Sequence, residues 1–531
     1  MNTDQEKSEE GGKRIVVCCD GTSNEFGHNN SNVVKIYEMM QRHDPKKQLG
    51  YYDPGVGAAS SYESLTRLGQ KGKGVLGLAF GYGLTKNIQD AYKFLMAHYE
   101  PGDRVYLFGF SRGAYTARAL AGMVHKCGLL HRDNANLISE ATRIFRPFDN
   151  FDVAAHFKKT FSINMPIHFL GIWDTVTSVG RVREPTRLPY TASNPSVQIV
   201  RHAISIDEKR AFFRNNMWRG DKEWIDGKPT VQEVWFAGNH SDVGGGYRKN
   251  ETQLSQIALE WLAAEAEEFG MQFHPDRSRN VLSDPAPNHL MQPSHDSFNH
   301  HSLGMGMKLL WRACEYYPKE VSYRRDDDKW DKSLTINHFK PRTISSDALF
   351  HESVRDRIRD VDDYRPVNLP KTFYSGASIQ IPDSQIVSWK HLNGIHPPDV
   401  RMVFHVEAKA KSTKTFQVEK GKRYRFSASG EWYDASIRTD ARGYATDSVK
   451  GYSNWILKQS ERFRREREAQ YFSLIGRVDD DPNTQFDLGK LIAENGEYEA
   501  VDTGTLTVFA NDVPVMYWNN RGAISLEMFE A

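Results

Sequence analysis

The sequence predicts an α/β domain on a mostly parallel sheet, followed in the same chain by an all-β sandwich. Three observations carry that expectation. Short apolar runs alternate with helical segments from residue 13 to about residue 380, the spacing of strands buried on both faces. Several of those runs end in a small polar cluster, where open parallel sheets hold their chemistry. Beyond residue 398 the pattern becomes period-two strands separated by Gly, Asn and Asp turns. A chain of 531 residues exceeds a single ordinary core, so separate domains are expected.

Composition narrows the class. With 26% charged residues, 12% aromatics and a formal net charge of +1, the protein reads as soluble and globular, and nucleic acid has no electrostatic case as a partner. No run approaches the roughly 18 apolar residues that span a bilayer. Met1 to Lys13 is polar and charged, so no signal peptide is expected. Cys18, Cys19, Cys127 and Cys314 lack metal-site spacing and read as thiols of a protein folded in a reducing compartment, cytoplasmic in the producing cell.

The elements follow in order. Residues 1–12 read as a disordered leader. Arg14 to Cys19 is an apolar strand running into the turn-forming Asp20-Gly21-Thr22-Ser23-Asn24. Asn32 to Arg42 is helical, Leu49 to Asp53 a second strand, and Gly74 to Gly81 a glycine-rich apolar helix under the sheet or a flap near the site. Asn87 to Tyr99 is a helix stopped by Pro101-Gly102. Asn134 to Arg146, Leu254 to Glu267 and Met305 to Tyr316 are helical, and Asp326 to Asp331 is an exposed acidic loop that lacks the glycine and closing glutamate of an EF-hand. The α/β domain spans 13–380, a linker 381–398 and the sandwich 399–531.

The chemistry centres on Arg104 to Leu120. β-Branched and aromatic residues lead into Gly109-Phe110-Ser111-Arg112-Gly113, and an Ala- and Leu-rich helical stretch follows. Strand, sharp turn and helix in that order lift a serine hydroxyl clear of a sheet, with glycines where a β-carbon would collide. The plain alternative is a βα turn whose serine caps the helix. Two further runs repeat the design: Pro166 to Trp173 ends at Asp174, and Gln232 to Gly238 ends at Asn239-His240. A serine is a weak nucleophile until an imidazole accepts its proton, and the imidazole needs a carboxylate to fix its tautomer. Ser111, Asp174 and His240 arrive in the chain order of a hydrolase triad. Asp242 is the second choice for the carboxylate, and His240 with Asp242 supplies too few ligands for a metal. The Arg112 amide and one from Gly21 or Thr22 are the expected oxyanion donors.

Together, Asp20-Gly21-Thr22, Gly109 to Tyr115, Trp173-Asp174-Thr175-Val176, Asp207-Glu208-Lys209-Arg210, His240 to Tyr247 and Tyr364 to Pro370 resemble the α/β-hydrolase family that includes the first class of bacterial type VI secretion lipase effectors. The resemblance covers roughly residues 13 to 370. It implies an α/β-hydrolase fold and a serine esterase that cleaves acyl chains from glycerophospholipids, without a cofactor for catalysis. Ser111 would be the nucleophile, His240 the base and Asp174 its orienting acid. It further implies a phospholipid substrate at a membrane surface, delivery into target cells, and a secretion spike and an immunity protein as candidate partners. The rival readings are a carbohydrate- or surface-binding adaptor on a non-catalytic hydrolase scaffold and an esterase for small soluble esters.

In the sandwich, Gly421 to Trp432 and Asn511 to Gly522 resemble the calcium-dependent galactose lectins of the PA-IL type. That resemblance implies Ca²⁺ held by Asp512, the Met516 carbonyl, Asn519 and Asn520, and a carbohydrate ligand. The family's His-Pro-x-Gln sugar loop is replaced here by the charged Lys458 to Glu468, whose Arg462, Arg464, Arg465 and Arg467 are candidates for anionic lipid headgroups.

Overall fold

A computed structural model describes the chain apart from residues 1–11, 22–26, 28, 56–74, 177–186, 220–222, 226, 248–252, 283–293, 297, 299–308, 310–311, 317, 325–329, 362, 377, 394–402, 436, 450–456, 459–462, 495, 515 and 531. The leader, half of the 305–316 helix, Asp326 to Lys329 of the acidic loop, and Arg462 therefore lie outside the described residues. The chain divides into two units, one of residues 1–282 and 293–395, the other of 283–292 and 396–531.

The first unit is built on eight strands: β1 (Arg14–Cys19), β2 (Gln48–Asp53), β3 (Arg104–Phe110), β4 (Ile167–Trp173), β5 (Val197–Ser205), β6 (Val231–Phe236), β7 (Leu349–His351) and β8 (Ile386–Val387). Their order across the sheet is β8-β7-β6-β5-β4-β3-β1-β2, and every neighbouring pair is parallel. Burial explains the apolar runs. Ile15 to Cys19 and Val105 to Phe108 are each at most 1% exposed, because side chains on both faces of these strands are covered. Helices α1 (Asn32–Met39), α2 (Val75–His98), α3 (Arg112–Cys127), α4 (His240–Gly244) and α5 (Gln253–Glu268) accompany the sheet. The glycine-rich segment and the helix expected after it are one element, α2.

Topology fixes where the chemistry falls. The chain steps from β1 to one side to make β2, then crosses to the other side of β1 to make β3. The C-terminal ends of β1 and β3 therefore frame the switch point of the sheet, where a crevice opens. Register aligns the ends: Cys19 with Gly109, Phe110 with Trp173, Trp173 with Ala203, and Ser205 with Phe236.

The stretch read as a linker from 381 to 398 is corrected. Ile386 and Val387 pair with Phe350 and His351 as the edge strand β8. Trp389 Nε1 donates to Glu260 at 3.0 Å, and Leu392 is buried. A two-residue strand between polar neighbours carries too little periodicity to be read from sequence.

The second unit holds two antiparallel sheets. One runs β9 (Val403–Glu407), β17 (Asn520–Glu530), β11 (Arg423–Asp434), β12 (Ile437–Thr439), with β15 (Glu497–Glu499) also on β11. The other runs β10 (Thr413–Val418), β16 (Gly504–Ala510), β13 (Leu474–Val478), β14 (Phe486–Asp487). Their shared core includes Phe404, Phe416, Trp432, Phe472 and Leu506. Among the described residues, no helix is long and apolar enough to cross a membrane.

Candidate active site

Ser111 sits between β3 and α3 with φ 58° and ψ −120°, a conformation that L-residues rarely adopt. The glycines beside it make this turn possible. A β-carbon on Gly109 would lie 2.6 Å from the Ala114 backbone, and one on Gly113 would lie 2.1 Å from the Cys19 carbonyl oxygen. The serine is thereby fixed at the amino end of α3, where negative charge is favoured.

The structure brings the three distant side chains together. Ser111 Oγ lies 2.8 Å from His240 Nε2, and His240 Nδ1 lies 2.5 Å from Asp174 Oδ2. With Nδ1–H donated to the carboxylate, Nε2 is left to accept the serine proton. His240 is the first residue of α4, one place after an Asn239 cap. The rings of Phe110 and Phe213 stand against the imidazole, with centroids at 4.6 and 4.7 Å. Burial lowers the proton affinity of His240 and outweighs its bond to Asp174, so the imidazole is held neutral and ready to take a proton.

Asp174, with φ 39°, carries more partners than a sequence shows. Its Oδ1 accepts from the Ser205 amide at 2.9 Å, the Ser205 hydroxyl at 3.0 Å and Arg342 Nη1 at 2.5 Å. Its Oδ2 accepts from Arg342 Nη2 at 2.9 Å as well as from His240. Burial alone would raise its proton affinity, but Arg342 and His240 reverse that and hold the carboxyl far below the usual carboxylate range.

Asp207 to Arg210, noted in the sequence without a role, lies at the same place. Buried Glu208 binds the Arg210 guanidinium through both carboxylate oxygens at 2.9 and 2.7 Å and accepts the His240 backbone N–H at 3.3 Å. Burial pushes the Glu208 carboxyl up, yet Arg210 brings it down to about 2. The opposite charges two residues apart were the available signal. Ser205, Phe213 and Arg342 carried none.

Asp242, the second choice for the carboxylate, serves elsewhere. It accepts the Asn239 amide at 2.9 Å in a capping box for α4, and its Oδ1 lies 2.5 Å from His295 Nδ1. The Gly21 amide donates to Asp20 Oδ1 at 2.6 Å, so its hydrogen is spent on that carboxylate and not directed at the serine; Thr22 lies outside the described residues. Asp20 also accepts from Ser31 Oγ at 2.6 Å and the Tyr52 hydroxyl at 2.8 Å, which ties down the turn after β1.

In the second unit, buried Asp512 accepts from Asn520 Nδ2 at 3.0 Å and the Val513 amide at 2.6 Å. Burial pushes its carboxyl up to about 6. Asn520 Oδ1 is buried with no hydrogen-bond donor, an acceptor that a cation would satisfy. Among the described residues, no three His, Cys, Asp or Glu side chains cluster to hold a metal, so a site here depends on amide and carbonyl oxygens. Two of the arginines considered for lipid headgroups are packed onto the sandwich: Arg464 lies over Tyr471 at 4.6 Å and Arg465 over Phe509 at 3.4 Å.

Comparison with known proteins agrees with the motifs. Residues 13–265 match the family model described as the type VI secretion system phospholipase effector Tle1-like catalytic domain, which bears out the resemblance for that segment. The chain is 25% identical to an uncharacterized protein of Saccharomyces cerevisiae over 68% of its own length and 81% of the relative. Among solved structures, an uncharacterized Pseudomonas aeruginosa protein aligns at 22% identity over 50% of this chain and 47% of its own, with a TM-score of 0.30. The chain thus spans about half the length of that protein. A Tle1 effector bound to a VgrG spike aligns at 13% identity over 63% of this chain and 92% of its own, TM-score 0.32. The PllA-like lectin domain of EclA aligns at 21% identity over 24% of this chain and 95% of its own, TM-score 0.18.

Proposed function

We propose that this protein is a serine esterase of the phospholipase A type, acting on acyl esters of glycerophospholipids. One observation carries the reading: the continuous chain from Ser111 Oγ through His240 to Asp174, at 2.8 and 2.5 Å, at the C-terminal edge of the sheet. The phospholipase family matched by residues 13–265 supports the substrate class.

In this mechanism His240 Nε2 takes the Ser111 proton as Oγ attacks the ester carbonyl. The resulting oxyanion is received by the Arg112 N–H at the start of α3, where the helix end favours negative charge. With the Gly21 amide engaged by Asp20, Thr22 is the remaining candidate for a second donor. His240 then returns its proton to the leaving lysophospholipid oxygen. Water, deprotonated by the same imidazole, attacks the acyl-enzyme and releases the fatty acid. Asp174 keeps the imidazole in the tautomer that both half-reactions need.

The family's effector role supports a protein delivered by a secretion spike, with an immunity protein in the producing cell. For the sandwich we propose Ca²⁺ binding by Asp512, Asn520, Asn519 and the Met516 carbonyl. The bound ion would supply open coordination positions to vicinal hydroxyls of a carbohydrate.

A fluorophosphonate ester tests the core of this reading. It should label the protein covalently and fail to label Ser111→Ala. Release of free fatty acid from phosphatidylcholine liposomes separates a phospholipase from an esterase of small soluble esters. Absence of labelling in the wild-type protein would return it to the adaptor reading.

A further inference from the structure

We propose that Arg342 is a positioning residue of the catalytic array: it fixes the Asp174 carboxylate and the aromatic wall beside His240, and its charge tunes the imidazole for proton transfer. The inference rests on reading Ser111, His240 and Asp174 as a hydrolase triad. Arg342 lies beyond the family-matched segment, which ends at residue 265, and comes from the stretch leading into β7.

Its guanidinium is committed on every side. Nη1 reaches Asp174 Oδ1 at 2.5 Å and Ser205 Oγ at 2.8 Å; Nη2 reaches Asp174 Oδ2 at 2.9 Å and also the Phe213 carbonyl; Nε donates to that same carbonyl at 3.1 Å. The side chain is 1% exposed and its partner Asp174 is 0% exposed. Bidentate contact holds both oxygens of the carboxylate in one plane, a geometry that a lysine cannot supply. The Phe213 carbonyl belongs to the residue whose ring stands edge-on to His240 at 4.7 Å. One arginine thus anchors the acid behind the imidazole and the wall beside it.

Charge gives the second consequence. His240 faces Asp174 from the end of β4, Glu208 and Arg210 from the segment after β5, and Ser111 from the elbow, with Phe110 and Phe213 as its apolar walls. Behind Asp174 stand Arg342 and His202; Arg214 lies near Arg342 and Glu208. Asp174, Glu208 and Arg210 therefore act on the imidazole directly, and Arg342 acts on it through Asp174. Without Arg342, Asp174 would act on His240 with its full charge and stabilise the imidazolium before reaction. With Arg342 in place that pull is blunted, so the resting imidazole stays a free base.

The test is the pH dependence of the rate at which a fluorophosphonate ester labels Ser111, measured on the full chain as wild type, Arg342→Lys and Arg342→Met, with melting temperatures alongside. Arg342→Met should raise the acid limb by about one pH unit, the effect of removing a nearby like charge, and lower the plateau about tenfold. Arg342→Lys keeps the charge and loses the fork, so its acid limb should stay near that of the wild type while its plateau falls. If Arg342→Met does not fold, Arg342→Lys decides: a lowered plateau on an unmoved limb supports the inference, and a wild-type plateau overturns it. A folded Arg342→Met with an unmoved limb, or failure of both variants to fold, assigns Arg342 to the scaffold alone and overturns it too. A wild-type protein that does not label takes down the hydrolase reading and this inference together, an outcome distinct from the others.

Discussion

The α-carbon of Gly113 lies against the carbonyl of Cys19, so close that a β-carbon would come within 2.1 Å of its oxygen. This contact packs the first turn of α3 onto the end of β1 and so seats the serine at the switch point of the sheet. Gly113→Ala must push either the helix or the strand away. It should cost roughly 3 kcal/mol and lower labelling of Ser111 at least tenfold, read by chemical denaturation and by fluorophosphonate kinetics.

The strained backbone of Ser111 separates stability from activity. Ser111→Gly removes the β-carbon from a φ of 58°, so it should abolish labelling while stabilising the fold by about 1 kcal/mol. Ser111→Ala should be equally inactive without that gain. Equal melting temperatures for the two variants would show that the elbow is not strained.

Acid acts on activity and stability through different groups. Burial depresses the His240 proton affinity, so labelling should hold its plateau through the ordinary imidazole range and fall only below about pH 6.5. The unfolded chain takes up that proton first, so stability begins to decline as pH drops below about 6.5. Asp174, whose folded proton affinity is also depressed, adds its loss below about pH 3.9. Urea unfolding at a series of pH values checks the stability profile.

Asp242 and Asp174 are separable by experiment. Asp174→Asn should reduce labelling about 10³- to 10⁴-fold through the wrong imidazole tautomer. Asp242→Ala removes the α4 capping box and the His295 contact, so it should cost about 1–2 kcal/mol of stability and leave labelling within about tenfold of the wild type. Equal losses of labelling in both variants would sink the assignment of the triad carboxylate.

For the sandwich, Asp512 carries a proton affinity raised to about 6, so the penalty for ionising it in the fold grows between about pH 4 and 6 and is complete above that. A bound cation would relieve it. Calcium should therefore raise the melting temperature of the full chain more at pH 7.5 than at pH 5, and Asp512→Asn should remove the difference.

What could be read from sequence was local. The elbow, the ends of β3, β4 and β6, and the six longer sandwich strands each lie within one continuous run, where turn chemistry and periodicity speak directly. What escaped was long-range or short. β8 has two residues, β12 has three, and the Gly21 amide turns to its own neighbour, Asp20, a detail of one side-chain rotamer. Glu208 and Arg210 stood inside a noted motif, but their tie to the His240 backbone depends on how β5 and β6 align. Arg342 is an ordinary arginine after a proline, and only the folded sheet reveals its partner.

That arginine stands 168 positions after the aspartate it grips. Once His240, the last of the three, has been synthesised, about a hundred further residues must follow before the clamp can close. During translation the nascent polypeptide therefore carries Ser111, Asp174 and His240 before the side chain that fixes Asp174 exists.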